Sequence, residues 1–303
     1  MELAQIAFNQ ILTMVLLMII GVFCYKINMI DEPTNKKLSS FVLLLVNPIV
    51  IFLSYQREFE SELMRGLMIS LLLAILSYGI SLAVTHVVFR NKGDETFGVE
   101  KYACVYSNSG LIGIPLVQGV FGLEGVFYLT AYLTVFNLLV WTHGVMVMSG
   151  QKDLTSIKKV FLSPPLLATI LGLLAFLFRF QLPDTLANPL GMLGSTNTPL
   201  GMMVAGVSMA QCSIKDLMGR KRLVLTCVMR LLLIPGLVIL AFSFIDAAPI
   251  LTGTSLIAVA CPVAANLILF AYRYEKDTQY ATGLFVLSTM LSMVTIPLML
   301  LLI

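Results

Sequence analysis

The stretch that decides the fold is Ser107–Pro115, SNSGLIGIP, which interrupts an apolar run from about 102 to 121. Two serines, an asparagine, two glycines and a proline crowd into it. Glycine loosens a helix, and proline removes a backbone donor and clashes with the preceding turn. At a rise of about 1.5 Å per residue, Pro115 would lie roughly 20 Å into a helix through this run. That depth is near the middle of a bilayer, where open backbone is tolerated only against protein or a water-filled cavity.

The composition of the whole chain places it in a membrane. The 303 residues are 58% apolar and only 12% charged, with a mean hydropathy of +0.95. A soluble fold of this length cannot bury so much apolar surface, because a large share of its residues must meet water. The composition therefore excludes a cytosolic enzyme, a nucleic-acid binder and a disordered protein. It predicts an all-α membrane protein that contacts the lipid bilayer.

Ten apolar segments are predicted to be transmembrane helices, since one span takes about 20 residues. In chain order, segments 1 to 10 cover 5–25, 38–55, 64–89, 102–121, 125–147, 161–180, 186–210, 223–244, 250–272 and 280–303. Little chain is left over between them. The sequence thus predicts short connections and a single transporter domain overall.

The placement of Lys and Arg predicts the orientation, because basic loops stay in the cytoplasm. With the N-terminus outside, fifteen of the 19 Lys and Arg residues fall in inside loops and only three fall outside. The longest basic inside loop is 149–160. Both termini are therefore predicted to lie outside the cell membrane.

An internal repeat is predicted from breaks at matching positions. Residues 1–150 would form a first five-helix repeat and residues 151–303 a second, inverted one, because five spans is an odd number. Asn47-Pro48 in segment 2 is matched by Asn197-Thr198-Pro199 in segment 7, and Pro115 in segment 4 by Pro262 in segment 9. The two proline offsets, 151 and 147 residues, are nearly equal. Inverted repeats with broken helices at matching places indicate the binding site of a secondary transporter.

The second midplane break is Ala260–Asn266, ACPVAAN, in segment 9. Two broken spans that meet would offer half-helix N-termini to anions and loose carbonyl oxygens to cations. The expected substrate-binding residues share a place at or beside a break, and they are Asn47, Asn108, Ser109, Gly110, Pro115, Asn197, Pro262 and Asn266. Asn137 in segment 5 is a further candidate. Its amide either bonds between helices or contacts substrate.

Two charge features bear on the site. Arg230 lies about 12 Å into segment 8, eight residues beyond Arg222. It either pairs with backbone carbonyls or attracts an anionic substrate. No Asp or Glu is expected inside any span, which disfavours a cation/proton antiporter that works through a carboxylate. No catalytic or metal constellation is found, so neither an enzyme nor a metal site is predicted.

Seven short strings in order resemble the auxin efflux carrier family, including its bacterial organic-acid and malate permeases. They are N-P at 47–48, N-S-G-L-I-G-I-P at 108–115, F-N-L-L-V-W at 136–141, S-P-P at 163–165, T-P-L-G-M-M-V-A-G-V-S-M-A at 198–210, R-L-L-L-I-P at 230–235 and A-C-P-V-A-A-N at 260–266. The likeness covers the whole chain. One departure is the connection between the halves, which is about a dozen residues here and long in the plant carriers.

The resemblance implies ten helices in two inverted repeats, with helices 4 and 9 crossing at their prolines as in the bile-acid/sodium symporter fold. It also implies elevator-type alternating access, a homodimer, and an organic anion facing Asn108, Asn137 and Asn197. No cofactor is expected, while coupling to Na⁺ or H⁺ stays open. We expect a transporter of small organic anions in the plasma membrane. The alternatives are a sodium- or proton-coupled symporter of another solute, a channel, and a non-transporting sensor on a carrier scaffold.

Overall fold

A computed structural model describes residues 2–89, 96–150, 163–211 and 220–301. Within these ranges the chain is helical and has no strand, only one isolated bridge between two residues. The helices are α1 (Glu2–Lys26), α2 (Glu32–Phe41), α3 (Asn47–Ser54), α4 (Ser61–Val88), α5 (Phe97–Val105), α6 (Ile114–Leu139), α7 (Val145–Ser149), α8 (Pro164–Leu177), α9 (Asp184–Ser195), α10 (Asn197–Ala210), α11 (Lys221–Val228), α12 (Ile234–Phe242), α13 (Pro249–Ala260), α14 (Asn266–Arg273) and α15 (Thr278–Leu300). The all-α class is thereby confirmed. The predicted boundary at 150/151 and most of the basic loop 149–160 fall outside the described residues.

In the described part of the chain, four single π-helical turns each run directly into the helix that follows. They are Val42–Val46 between α2 and α3, Ser109–Gly113 before α6, Val140–Gly144 between α6 and α7, and Met229–Leu233 between α11 and α12. In three cases a proline is the second residue after the turn, namely Pro48, Pro115 and Pro235. A proline ring clashes with the carbonyl four residues earlier, and a widened turn relieves that clash. These prolines therefore shape their helices without ending them.

The surface of the bundle suits a lipid solvent. Six helical stretches of the described chain are long and apolar enough to cross a membrane, namely Phe8–Lys26, Glu32–Ser54, Ser61–Val88, Ser109–Ser149, Lys221–Phe242 and Thr278–Leu300. Each of the ten predicted segments coincides with one or more helices. Along α1, Leu12, Leu16, Ile19 and Phe23 are all about half exposed or more. A row of exposed large apolar side chains is stable against acyl chains and would be a liability in water.

Two connections differ from the prediction in detail. Segment 7 is two helices, because Thr196 separates α9 from α10. Segments 4 and 5 are joined at Gly122, which has φ +66° and ψ −161° between two stretches of helix. Only glycine adopts this backbone conformation readily. One glycine therefore makes the kink where the sequence suggested a short loop.

Helices pack in pairs around the buried core. Helix α1 lies along α10 so closely that Gly21 faces the backbone of Met203 and Gly206 faces the backbone of Met18. A Cβ at either glycine would overlap the opposing carbonyl oxygen. Helix α3 packs on α8, and α4, α6 and α13 pack on one another. The breaks of segments 4 and 9 lie within this packing.

Candidate functional site

The breaks in segments 4 and 9 are joined by their main chains. Ser107 and Val263 form an antiparallel bridge. The Asn108 N–H donates to the Pro262 carbonyl at 2.7 Å, and the Ala264 N–H donates to the Tyr106 carbonyl at 3.0 Å. Backbone released from a helix inside a membrane must find partners in the protein. Here each break satisfies the other, and the paired residues form what we call the crossover (residues 106–108 and 261–265).

The two breaks have different local causes, and this corrects one prediction. In segment 9, Pro262 lies in the break, and Cys261 before it is extended at φ −56° and ψ 149° as a pre-proline residue should be. In segment 4 the chain opens at Tyr106, with φ −102° and ψ 117°. Pro115 lies further on, in the first turn of α6. Segments 4 and 9 therefore do not cross at both prolines, since Ser107 and not Pro115 pairs with Val263 of segment 9.

Side chains from outside the crossover form hydrogen bonds with both of its segments. The Val263 N–H donates to Ser288 Oγ of α15 at 3.0 Å, and Ser107 Oγ bonds with the Tyr132 hydroxyl of α6 at 3.2 Å. Ser288 and Tyr132 were not among the site residues predicted from the sequence. Their signal was a polar atom within an otherwise apolar span, which must find a partner in lipid. Many serines and threonines give the same signal by bonding to their own helix, so it does not separate these two.

Four of the predicted site residues are buried and still have polar atoms without a partner among the described residues. Asn47 and Asn108 are at most 4% exposed, and Ser109 and Asn197 are fully buried. The unpartnered atoms are Asn47 Oδ1, Asn108 Nδ2, Ser109 Oγ and both Oδ1 and Nδ2 of Asn197. Leaving such a group without a hydrogen bond costs about 1–3 kcal/mol. Four of the predicted site residues therefore have hydrogen-bonding capacity that the protein does not use.

Segments 2 and 7 bring their residues to the turn that follows the crossover. Asn47 Nδ2 donates to the Gly110 carbonyl at 3.0 Å, which ties segment 2 to the turn Ser109–Gly113. Helix α10, which begins at Asn197, also packs on this turn, with Gly201 against the Leu111 carbonyl. A Cβ at Gly201 would come within 3.3 Å of that oxygen. The turn is thus enclosed by segments 2 and 7.

The remaining candidates are less closely tied to the crossover. Asn266 is half-buried at the start of α14, and its Oδ1 has no partner in the described chain. Asn137 is half-buried, and its Nδ2 donates to Leu133 O in its own helix at 2.9 Å. This bond is neither of the two roles that the sequence offered. A substrate contact by Asn137 stays a prediction.

Arg230 lies beneath the crossover, fully buried in the π turn of segment 8. Its Nη1 donates to Cys104 O at 3.1 Å, and Nε and Nη2 donate to Cys261 O at 3.2 and 3.0 Å. Nη2 also donates to Val259 O. Of the two roles predicted for Arg230, these contacts are the pairing with backbone carbonyls. The other predicted role was attraction of an anionic substrate.

A family comparison decides what kind of protein carries this site. A family of proteins described as membrane transport proteins matches residues 6–159 and 151–300. The chain belongs to this family. The resemblance to the auxin efflux carriers is confirmed, and the chain is a multi-pass membrane protein of a transport family.

Relatives of this membrane transport protein cover almost its whole length. An uncharacterized transporter of Methanocaldococcus jannaschii is 23% identical over 97% of this chain and 98% of its own. An uncharacterized transporter of Methanothermobacter thermautotrophicus is 25% identical over 96% of each chain. A Rhizobium meliloti protein provisionally named a malonate transporter is 22% identical over 88% of this chain and 87% of its own.

One buried carboxylate lies in a helix where the sequence predicted a connection. Glu100 was assigned to the connection before segment 4, but it lies in α5 and is 1% exposed. Its oxygens accept from Arg222 Nε at 2.9 Å and Nη2 at 2.7 Å, and from the Tyr280 hydroxyl at 2.6 Å. Segment 4 was predicted to begin at residue 102, five residues after the start of α5. This ion pair fastens α5, the first half of the broken helix, to α11 and α15.

Proposed function

We propose that the protein is a secondary carrier of small organic anions, carboxylates such as malate or auxin-like acids, across the plasma membrane. The observation that carries the proposal is a set of buried, unpartnered polar side chains: Asn108 and Ser109 at the crossover, and Asn47 and Asn197 on the segments that pack on the next turn. Most buried polar atoms in folded proteins are bonded to other protein groups or to water. A passing ligand would satisfy these unpartnered atoms in turn.

The donors in this group suit a carboxylate, whereas Asn47 Oδ1 and Asn197 Oδ1 can only accept hydrogen bonds. Asn108 Nδ2, Asn197 Nδ2 and Ser109 Oγ can all donate hydrogen bonds, and a carboxylate accepts several. The helical turn that begins at Ser109 adds backbone N–H groups, and a helix N-terminus favours negative charge. The relative from Rhizobium meliloti supports the same class, since malonate is a dicarboxylate.

The proposal includes ten spans in two inverted five-helix repeats, and the helix pairs support it. Inversion exchanges segments 1 and 6, and likewise 2 and 7. The contact of α1 with α10 joins segments 1 and 7. Under the exchange it corresponds to a contact between segments 6 and 2, and α8 and α3 make that contact. The same operation turns the packing of segments 3 and 5 into that of 8 and 10, which is also present. The crossover of segments 4 and 9 maps onto itself.

Elevator-type alternating access would follow from this division. Segments 1, 2, 6 and 7 would form a scaffold and, in a homodimer, its interface, while the other six would carry the crossover. Asn47 on segment 2 bonds to Gly110 on segment 4, so the site includes residues from both parts. Motion of one part against the other would then open the site to alternate sides, with both termini outside.

Uptake into liposomes tests the function. Purified protein is reconstituted and offered labelled malonate, malate, acetate and indole-3-acetate, with and without a sodium gradient and a pH gradient. We expect saturable uptake of at least one carboxylate, and the gradients decide between uniport and coupling to Na⁺ or H⁺. Protein that is folded and binds a carboxylate without moving it would be a sensor, and protein that does neither would contradict the proposed substrate class.

A further inference from the structure

The guanidinium of Arg230 binds the ends of two different helices. Cys104 is the next-to-last residue of α5, and Val259 and Cys261 flank the last residue of α13. Carbonyl groups in the last turn of a helix have no partner in that helix and carry the negative end of its dipole. One side chain therefore caps the C-termini of both helices that break at the crossover.

The charge of Arg230 is not balanced by a carboxylate in the described part of the chain. Glu100 is on the same broken helix, yet its oxygens bind Arg222 and Tyr280. Arg230 is fully buried, and all its hydrogen bonds go to neutral carbonyl oxygens. Carbonyl dipoles stabilise a cation but leave its unit charge in place. A net positive charge thus lies beneath the crossover.

The charge is close enough to act on a ligand at the site. Arg230 binds the carbonyl of Cys261, and the next carbonyl, of Pro262, accepts from the Asn108 N–H. This path places the guanidinium roughly 10 Å or less from Asn108, given the spacing of consecutive peptide units. With an effective dielectric constant of about 20, a unit charge at that range changes the affinity for an anion on the order of tenfold.

We propose that Arg230 is the positioning residue of the crossover. Its fork fixes the ends of both broken helices, and its buried charge biases the site towards anions without touching the substrate. The charge effect rests on the proposed function, whereas the capping effect does not. Four of the five guanidinium N–H groups are needed for the observed contacts, which leaves little capacity for a direct substrate bond.

Three variants separate capping from charge. Arg230→Lys keeps the charge and gives up the fork, Arg230→Gln keeps neutral donors and gives up the charge, and Arg230→Met gives up both. Lys221→Gln, at the exposed start of α11, is the control that removes an equal charge away from the crossover. If the Met variant does not fold, the Lys and Gln variants carry the comparison.

Amide hydrogen exchange tests the capping without any substrate. Peptides that cover 102–112 and 256–268 are followed, because they contain the Asn108 and Ala264 N–H groups that bridge the breaks. We expect exchange at these peptides to rise at least about tenfold in the Met or Gln variant, less in the Lys variant, and not at all in Lys221→Gln. Unchanged exchange in every Arg230 variant would overturn the capping.

Binding of malonate to purified protein, by calorimetry, tests the charge. We expect Arg230→Gln to bind about tenfold more weakly than Arg230→Lys, and Lys221→Gln to match the wild type. Equal affinities in the Lys and Gln variants would overturn the charge effect. A wild type that binds no carboxylate would instead contradict the proposed function, and the exchange experiment would still decide the capping.

Discussion

The Asn108 N–H donates to the Pro262 carbonyl at 2.7 Å, so two residues 154 positions apart in sequence join two broken helices by one backbone hydrogen bond. The Asn108 side-chain Nδ2, by contrast, has no hydrogen-bond partner among the described residues. The backbone and the side chain of Asn108 thus have different roles. The first holds the crossover together, and the second is available to a ligand.

Asn108→Ala should therefore weaken transport without weakening the fold. The substitution removes a contact worth about 1–3 kcal/mol if the substrate is charged, which is roughly 5- to 150-fold in affinity. Thermal stability should stay constant or rise, because a buried unpartnered amide is removed. Asn35→Ala is the control, since Asn35 Nδ2 donates to Ser208 Oγ at 3.0 Å and its loss should lower stability. Wild-type affinity in Asn108→Ala would mean that substrate binds elsewhere.

Asn47 should behave differently, because its amide already has a partner. Asn47→Ala removes the bond to Gly110 O and should destabilise the protein by about 1 kcal/mol. Asn47→Asp places an acceptor against that carbonyl and should be worse than Ala in both melting temperature and uptake. If Asp equals Asn in both measurements, this contact between segments 2 and 4 contributes nothing.

Gly122 should resist substitution even though there is room for a side chain. No atom lies within 4 Å of the place where its Cβ would be, but its φ of +66° strains any other residue. Gly122→Ala should cost about 1–3 kcal/mol in thermal unfolding. Gly79→Ala is the matched control, since Gly79 also faces open space but lies within α4, where alanine favours the helix. Equal effects of the two substitutions would refute the backbone explanation.

The ion pair of Glu100 and Arg222 should respond asymmetrically. Arg222→Met strands a carboxylate that is almost fully buried and should cost on the order of 3 kcal/mol. Glu100→Gln should cost less, because the Arg222 side chain is 52% exposed and can be hydrated. The measurement is thermal unfolding of the two variants in the same detergent. A larger loss in Glu100→Gln would show that the glutamate does more than pair with arginine.

The predicted orientation can be tested with single cysteines in a background without native cysteine. An impermeant reagent on intact cells should label Glu2→Cys and spare Thr155→Cys until the membrane is opened. The basis is the excess of Lys and Arg in the loops assigned to the inside. The opposite pattern would reverse the orientation, and labelling of both positions would contradict the odd number of spans in each half.

Much of the candidate site could be proposed from the sequence, because amide side chains are unusual in a lipid-spanning helix. Asn47, Asn108 and Asn197 were found as amides in apolar segments, and the structure buries all three. What could not be predicted was set by tertiary contacts. The crossing point moved from Pro115 to Ser107 because a π turn absorbs that proline, and Glu100 was missed because its partners lie more than 100 residues away. The role of Arg230 was left open for the same reason, since its acceptors are backbone atoms, which look alike in any sequence.

The π turns also set the phase of their helices. In all four the N–H that closes the turn, from Asn47, Ile114, Val145 or Ile234, reaches a carbonyl five residues back. Each extra residue rotates everything after it by about 100° relative to an unbroken α-helix. Arg230 lies inside one such turn, and its aim at two helix ends depends on that rotation. Deleting one residue from Met229–Leu233 would rotate α12 relative to α11 by about 100°. The Arg230 guanidinium could then keep its hydrogen bonds to the backbone carbonyls only if α12 lost its packing contacts.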